Sequence, residues 1–171
     1  MRRLWIAISL IIFCIVIFIV IGLLLPRQQS FTRDVEINQP VPAIWQAVSD
    51  CPAEPSWRPD LKSCDRLPDE NGHATYRLTT RRGHAMKMEI VESIPPQHIM
   101  FRFLDLPSSG TIVWIFNLDP WNGGTKVSLT QNDSVGNPLA RILYRTVFRT
   151  EFADGYLDAL ARKFGSAPSE Q

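Results

Sequence analysis

Three histidines, three cysteines and a scatter of carboxylates are the residues here whose chemistry could go beyond packing. His73 falls in a turn and His98 has the outward parity of its strand, so the imidazoles do not converge, and no metal ligand or cofactor is assigned. His84 has inward parity beside Met86 and Met88. It reads either as a satisfied core histidine or as a general base with Tyr76 or Arg149 as electrophilic partner. The chain carries no nucleophile elbow, phosphate loop or paired-carboxylate motif, so no catalytic residue is assigned. Glu89, Glu92, Asp119 and Asp133 read as surface charge.

Of the cysteines, Cys14 lies inside an apolar run and reads as a small membrane residue. Cys51 and Cys64 flank the loop that carries Trp57. If the domain is exported they can pair and close a loop of about 13 residues. The other reading is two unpaired small residues.

The element that must position any site is a long helix over Asn137 to Phe164. Asn137 suits the N-cap, Pro138 the first helical position and Gly165 the C-terminal closure. Leu139, Ile142, Leu143, Leu157, Leu160, Ala161 and Phe164 form an apolar stripe whose centre, Thr146, Thr150 and Ala153, is small. That centre predicts either close approach to a sheet or room for a ligand. Arg141, Arg145 and Arg149 follow one another along a solvated edge.

The sheet precedes the helix. Thr32 to Asn38 alternates as a first strand, and Pro42 opens a short helix through Asp50 that buries Ile44, Trp45 and Val48. Six meandering strands follow, over about 61–67, 73–81, 84–93, 98–104, 110–119 and 125–135, with turn residues between them. Alternation points Tyr76, Leu78, His84, Met86, Met88, Ile90, Ile99, Phe101, Phe103, Ile112, Trp114, Phe116, Leu118, Val127 and Leu129 at the helix. Thr75, Arg77, Thr79, Lys87, Glu89, Arg102, Lys126, Ser128 and Thr130 would face water. The pattern is that of a one-sided antiparallel sheet.

The 171 residues suffice for one domain. The stretch from Leu4 to Leu25 has no charge and would span roughly 33 Å as a helix, enough for a bilayer. With Arg2 and Arg3 ahead of it, it predicts a single-pass anchor, the domain exported and, in a bacterium, an inner-membrane protein with a periplasmic domain. Residues 1–26 would be the anchor, 27–31 a linker, 32–165 the domain and 166–171 a flexible tail. With Arg2, Arg3 and Arg27 set aside, 15 basic residues face 17 acidic ones, which suggests no nucleic-acid partner.

The strand Val35 to Ile37, then Pro40, Ile44-Trp45, Val48, Ser49-Asp50 and, after the loop, Trp57-Arg58-Pro59 resemble the opening of START-like proteins. These are also called the SRPBCC or Bet v allergen-like superfamily, with a polyketide cyclase/dehydrase and lipid-transport branch. The resemblance implies an α+β helix-grip fold, a curved antiparallel sheet around a long C-terminal helix, enclosing a cavity for a lipid or other hydrophobic small molecule. An N-terminal transmembrane helix departs from the usual member. The residues expected to line the cavity are Trp57, Tyr76, His84, Met86, Met88, Phe101, Phe103, Trp114, Phe116, Thr146, Arg149, Thr150 and Ala153. Arg81 and Arg82, at a hairpin tip, read as a solvated turn, the other reading being contact with anionic headgroups. A binding module leads. A cyclase or dehydratase on a polyketide-like or aromatic substrate, and a ligandless interaction domain, are the alternatives.

Overall fold

The computed structural model describes residues 13, 15–104, 110–138, 141–142 and 151–166, with only the backbone of Glu151. Seven strands form one antiparallel sheet: β1 (Gln28–Ile37), β2 (Leu61–Arg66), β3 (Ala74–Thr80), β4 (Ala85–Ile94), β5 (His98–Leu104), β6 (Thr111–Trp121) and β7 (Gly124–Ser134). Their order is β1-β7-β6-β5-β4-β3-β2. Helix α1 (Val41–Ser49) and a 3-10 turn (Cys51–Ser56) carry the chain from β1 at one edge to β2 at the other. Helix α2 (Glu151–Lys163) packs on β1 and β7.

Local chemistry explains the meander. Asn71-Gly72 and Asn122-Gly123 have φ of 52° and 80°, and 44° and 82°, the paired positive values of tight hairpins that asparagine and glycine tolerate best. Between the turns, alternation sends one set of side chains inward. Leu78, Met88, Phe101, Phe103, Trp114, Phe116, Leu118, Val127 and Leu129 are buried with Val35, Ile37, Ile44 and Val48. From α2, Ala153, Tyr156, Leu157, Leu160 and Ala161 complete the core. Each fully buried Leu contributes about 2 to 3 kcal/mol. Gly165, at φ 70°, ends α2 as its position suggests, with Ser166 N–H donating back to Ala161 O. At the other end of the expected helix, Arg141 N–H bonds Asn137 O.

Several expectations are corrected. β1 begins at Gln28, paired with Ser134, so residues 28–31 are strand and not linker. Thr75 and Glu89 are covered on the outer face, with Arg102 Nη1 3.8 Å from Glu89. Asp133 is buried because it falls on the inward parity of β7 with Gln131. Arg141 is buried as well. Its guanidinium donates to the carbonyls of Val135, Gly136, Gly22 and Leu25, replacing the water expected along that edge.

The single-pass inner-membrane and periplasmic placement built on Leu4 to Leu25 is corrected too, and residues 4–12 and 14 of that stretch lie outside the described residues. Among the described residues no helix is long and apolar enough to cross a membrane. The described part of that stretch is helical over 15–24, and Arg141 ties its end to the domain. A Cβ at Gly22 would collide with the Pro138 carbonyl, so only glycine permits this close approach.

Candidate functional site

The site grows from the segment between α1 and β2. Prolines 52 and 55 hold a tight 3-10 turn, and a disulfide between Cys51 and Cys64, Cα–Cα 5.8 Å, fastens it to β2. Glu54 and Arg58, one helical step apart, then both point inward and are 4% and 5% exposed. Arg58 Nη1 donates to Glu54 Oε2 at 2.9 Å, while Nη2 and Nε donate to the two oxygens of Asp60 at 2.7 and 3.3 Å. From α2, Tyr156 Oη donates to Glu54 Oε1 at 3.3 Å, and its ring lies 4.9 Å beneath the guanidinium.

Burial raises the Glu54 carboxyl to about 7, outweighing the opposing pull of Arg58 and the Tyr156 hydrogen bond. Burial also pushes the Tyr156 hydroxyl well above its usual value, with the Glu54 charge adding to it. Burial alone would lower Arg58, but the carboxylates of Glu54 and Asp60 raise it, so the guanidinium stays charged.

Beside this cluster lies a cavity of about 70 Å³. Each strand from β2 to β6 gives it a side chain: Leu61, Leu78 and Thr80, Met86, Phe103, then Ile112 and Trp114. Arg58 and Asp60 border it, its surface is almost wholly apolar, and the half-exposed Phe152 of α2 also lines it. Tyr156 links the cavity wall to the cluster, with ring centroids 5.4 Å from Trp114, 5.2 Å from Phe116 and 5.4 Å from Trp57. Behind the wall, Trp114 Nε1 donates to Gln131 Oε1 at 2.8 Å, and Gln131 Nε2 to both Asp133 oxygens at 2.9 Å.

Of the residues expected to line a cavity, Met86, Phe103 and Trp114 do. Met88, Phe101, Phe116 and Ala153 are buried core side chains elsewhere. Tyr76 is half-buried beneath the Arg66 guanidinium, and Trp57 is half-buried against Tyr156, with Nε1 buried and without a hydrogen-bond partner among the described residues. His84 is a correction: it is exposed just ahead of β4, because the hairpin turn includes it and strand parity does not reach it. Thr146, Arg149 and Thr150 lie outside the described residues. Arg58 was legible only as part of a motif. The spacing of Glu54 and Arg58 among prolines is the signal that could have singled it out. Among the described residues no three metal-ligating side chains gather.

A family model described as "Polyketide cyclase / dehydrase and lipid transport" matches residues 28–165. The chain belongs to this polyketide cyclase/dehydrase and lipid transport family. Its sheet and C-terminal helix are the helix-grip fold. No functionally curated protein matches the sequence. Among solved structures the chain is similar to the di-domain aromatase/cyclase BexL of the BE-7585A biosynthetic pathway. The TM-score is 0.68 at 18% identity, over 88% of this chain and 53% of that one. The chain thus spans about half the length of that di-domain protein. It is also similar to the Zhui aromatase/cyclase from Streptomyces sp. R1128, with TM-score 0.65 and 15% identity over 80% of this chain and 93% of that one. A third likeness is to norcoclaurine synthase from Thalictrum flavum in complex with dopamine and hydroxybenzaldehyde. There the TM-score is 0.65 at 12% identity, over 80% of this chain and 86% of that one. At these identities the likeness is one of fold, and within the polyketide cyclase/dehydrase and lipid transport family the site must speak for this chain.

Proposed function

We propose that the domain binds a lipid or other small hydrophobic molecule, a narrow end of which enters the cavity beneath Phe152. The observation that carries this reading is an apolar cavity bordered by a buried, charged Arg58. A volume of about 70 Å³ is well below the roughly 300 to 1,000 Å³ of sites that engulf drug-sized ligands. It suits one ring or a short acyl segment, with the rest of the molecule outside. Each methylene removed from water is worth about 0.8 kcal/mol. A segment of about five gives roughly 4 kcal/mol, a millimolar contribution, so tighter binding requires a directed polar contact.

A cyclase or dehydratase on a polyketide-like or aromatic substrate is the second reading, and it has lost its first candidate base, the exposed His84. Glu54, raised to about 7, is the observation in its favour. Arg58 stands between Glu54 and the cavity, which favours binding over catalysis.

Titrating the protein with octan-1-ol while following its tryptophan fluorescence, to which Trp114 of the cavity wall contributes, tests the binding role. Saturable binding that Ile112→Phe and Met86→Phe abolish, with folding retained, supports it. Binding that survives both substitutions puts the ligand outside this cavity and overturns the reading, and no binding in the parent leaves the ligandless interaction domain.

A further inference from the structure

We infer that the ligand carries an anionic head, a carboxylate in the simplest case, and that Asp60 holds that head's seat on Arg58 until the ligand arrives. The inference rests on the binding role proposed above and names the chemical class of the ligand. Among the described residues Arg58 is the one basic side chain lining the cavity. Its orientation is fixed from two buried sides, by Glu54 on Nη1 and by the Tyr156 ring under its plane. The remaining edge, Nε and Nη2, is a two-pronged donor, and Asp60 fills it with both carboxylate oxygens. Such a fork matches the planar geometry of a carboxylate and recognises it through two parallel bonds.

Asp60 differs from Glu54 in being free to leave. Its side chain is 48% exposed, against 5% for Glu54, so water can solvate it once it swings away. Exchanging one carboxylate for another also leaves the charge of the cluster unchanged. A ligand carboxylate would therefore meet a seat already shaped for it, with its apolar portion directed along Leu61, Leu78 and Met86. A neutral analogue would bury the same apolar portion and leave the Arg58–Asp60 pair closed.

The test titrates the full chain with octanoate and with octan-1-ol. The proteins are the parent, Asp60→Asn and, as a control for general charge effects, Asp65→Asn, an exposed carboxylate on β2. Removing the internal competitor should tighten octanoate about tenfold and leave octan-1-ol within about twofold, while Asp65→Asn changes neither. An octanoate-to-octanol ratio that is the same in the parent and Asp60→Asn overturns the inference and leaves the binding role intact. So does an equal tightening by Asp65→Asn. Failure of both probes to bind any of the three proteins overturns the inference together with the binding role.

Discussion

Tyr156 on the C-terminal helix donates its hydroxyl to Glu54 on the 3-10 turn at 3.3 Å, across a separation of 102 residues. This bond joins the helix that carries Phe152 to the turn that leads into Arg58, and it ends on a carboxyl that burial raises from 4.5 to about 7. An acid whose folded-state pKa lies above its unfolded value gives its stability in full below the unfolded value, and loses it as pH rises through the folded one. Glu54 should therefore make the domain less stable as pH climbs from about 4.5 to 7, by about 3 kcal/mol in total, with no further change above. Denaturant unfolding of the parent and Glu54→Gln across this range measures the difference. The gap between them should move steadily in favour of the glutamine variant toward pH 7 and then level off. A gap independent of pH would show that Glu54 titrates alike folded and unfolded.

Ala153 is fully buried on α2 where the helix meets the sheet, and it does not border the cavity. Ala153→Leu should consequently overpack the core and cost about 1 to 3 kcal/mol. Thermal unfolding checks this, and unchanged or raised stability would reveal empty volume beneath the helix at that point.

The helix-grip architecture was readable because alternation and turn chemistry agreed from strand to strand. Asn71-Gly72 and Asn122-Gly123 mark the hairpins, and inward parity picked out Met88, Phe101, Phe103, Trp114 and Phe116 correctly. Parity failed where a strand ended, as at His84, and where the inward position held a polar residue, as at Asp133. Asp133 reads as surface charge until Gln131, two residues away on the same face, is seen to pair with it. The cavity was harder still. Phe152 lies off the apolar stripe of its helix, and Arg58 and Asp60 come from a loop whose inward direction is set by contacts remote in sequence, chiefly Tyr156. The apolar stretch ahead of Pro26 was read from its length, its lack of charge and the Arg2-Arg3 flank, which gave no hint of the Arg141 bonds that hold Gly22 and Leu25.

Gln131 bridges the cavity wall to Asp133, accepting from Trp114 Nε1 and donating to both carboxylate oxygens. Gln131→Leu keeps similar bulk but removes the acceptor of a buried indole N–H. A loss of about 1 to 3 kcal/mol is expected, because a buried donor then lacks its partner. Urea unfolding measures the cost. Tryptophan emission of the folded protein should shift in the same variant but not when Trp114→Phe is the background, which separates a local effect on the wall from general destabilisation.

The Cys51–Cys64 disulfide closes a loop with a sequence separation of 13, and that loop carries Glu54, Trp57, Arg58 and Asp60. By the chain-entropy estimate such a bridge is worth roughly 3 kcal/mol, through restriction of the unfolded chain. The double variant Cys51→Ala, Cys64→Ala should lose about that much in denaturant unfolding. The loop's position adds a second consequence. Arg58 is oriented through the 3-10 turn that the bridge fastens to β2, so loosening the turn should blur the Arg58 fork before it disturbs the apolar wall from β3 to β6. Octanoate binding should therefore weaken more than octan-1-ol binding in the double variant, at a temperature where both proteins remain folded. Equal weakening of the two probes would mean that the bridge supports the domain as a whole and has no particular hold on Arg58.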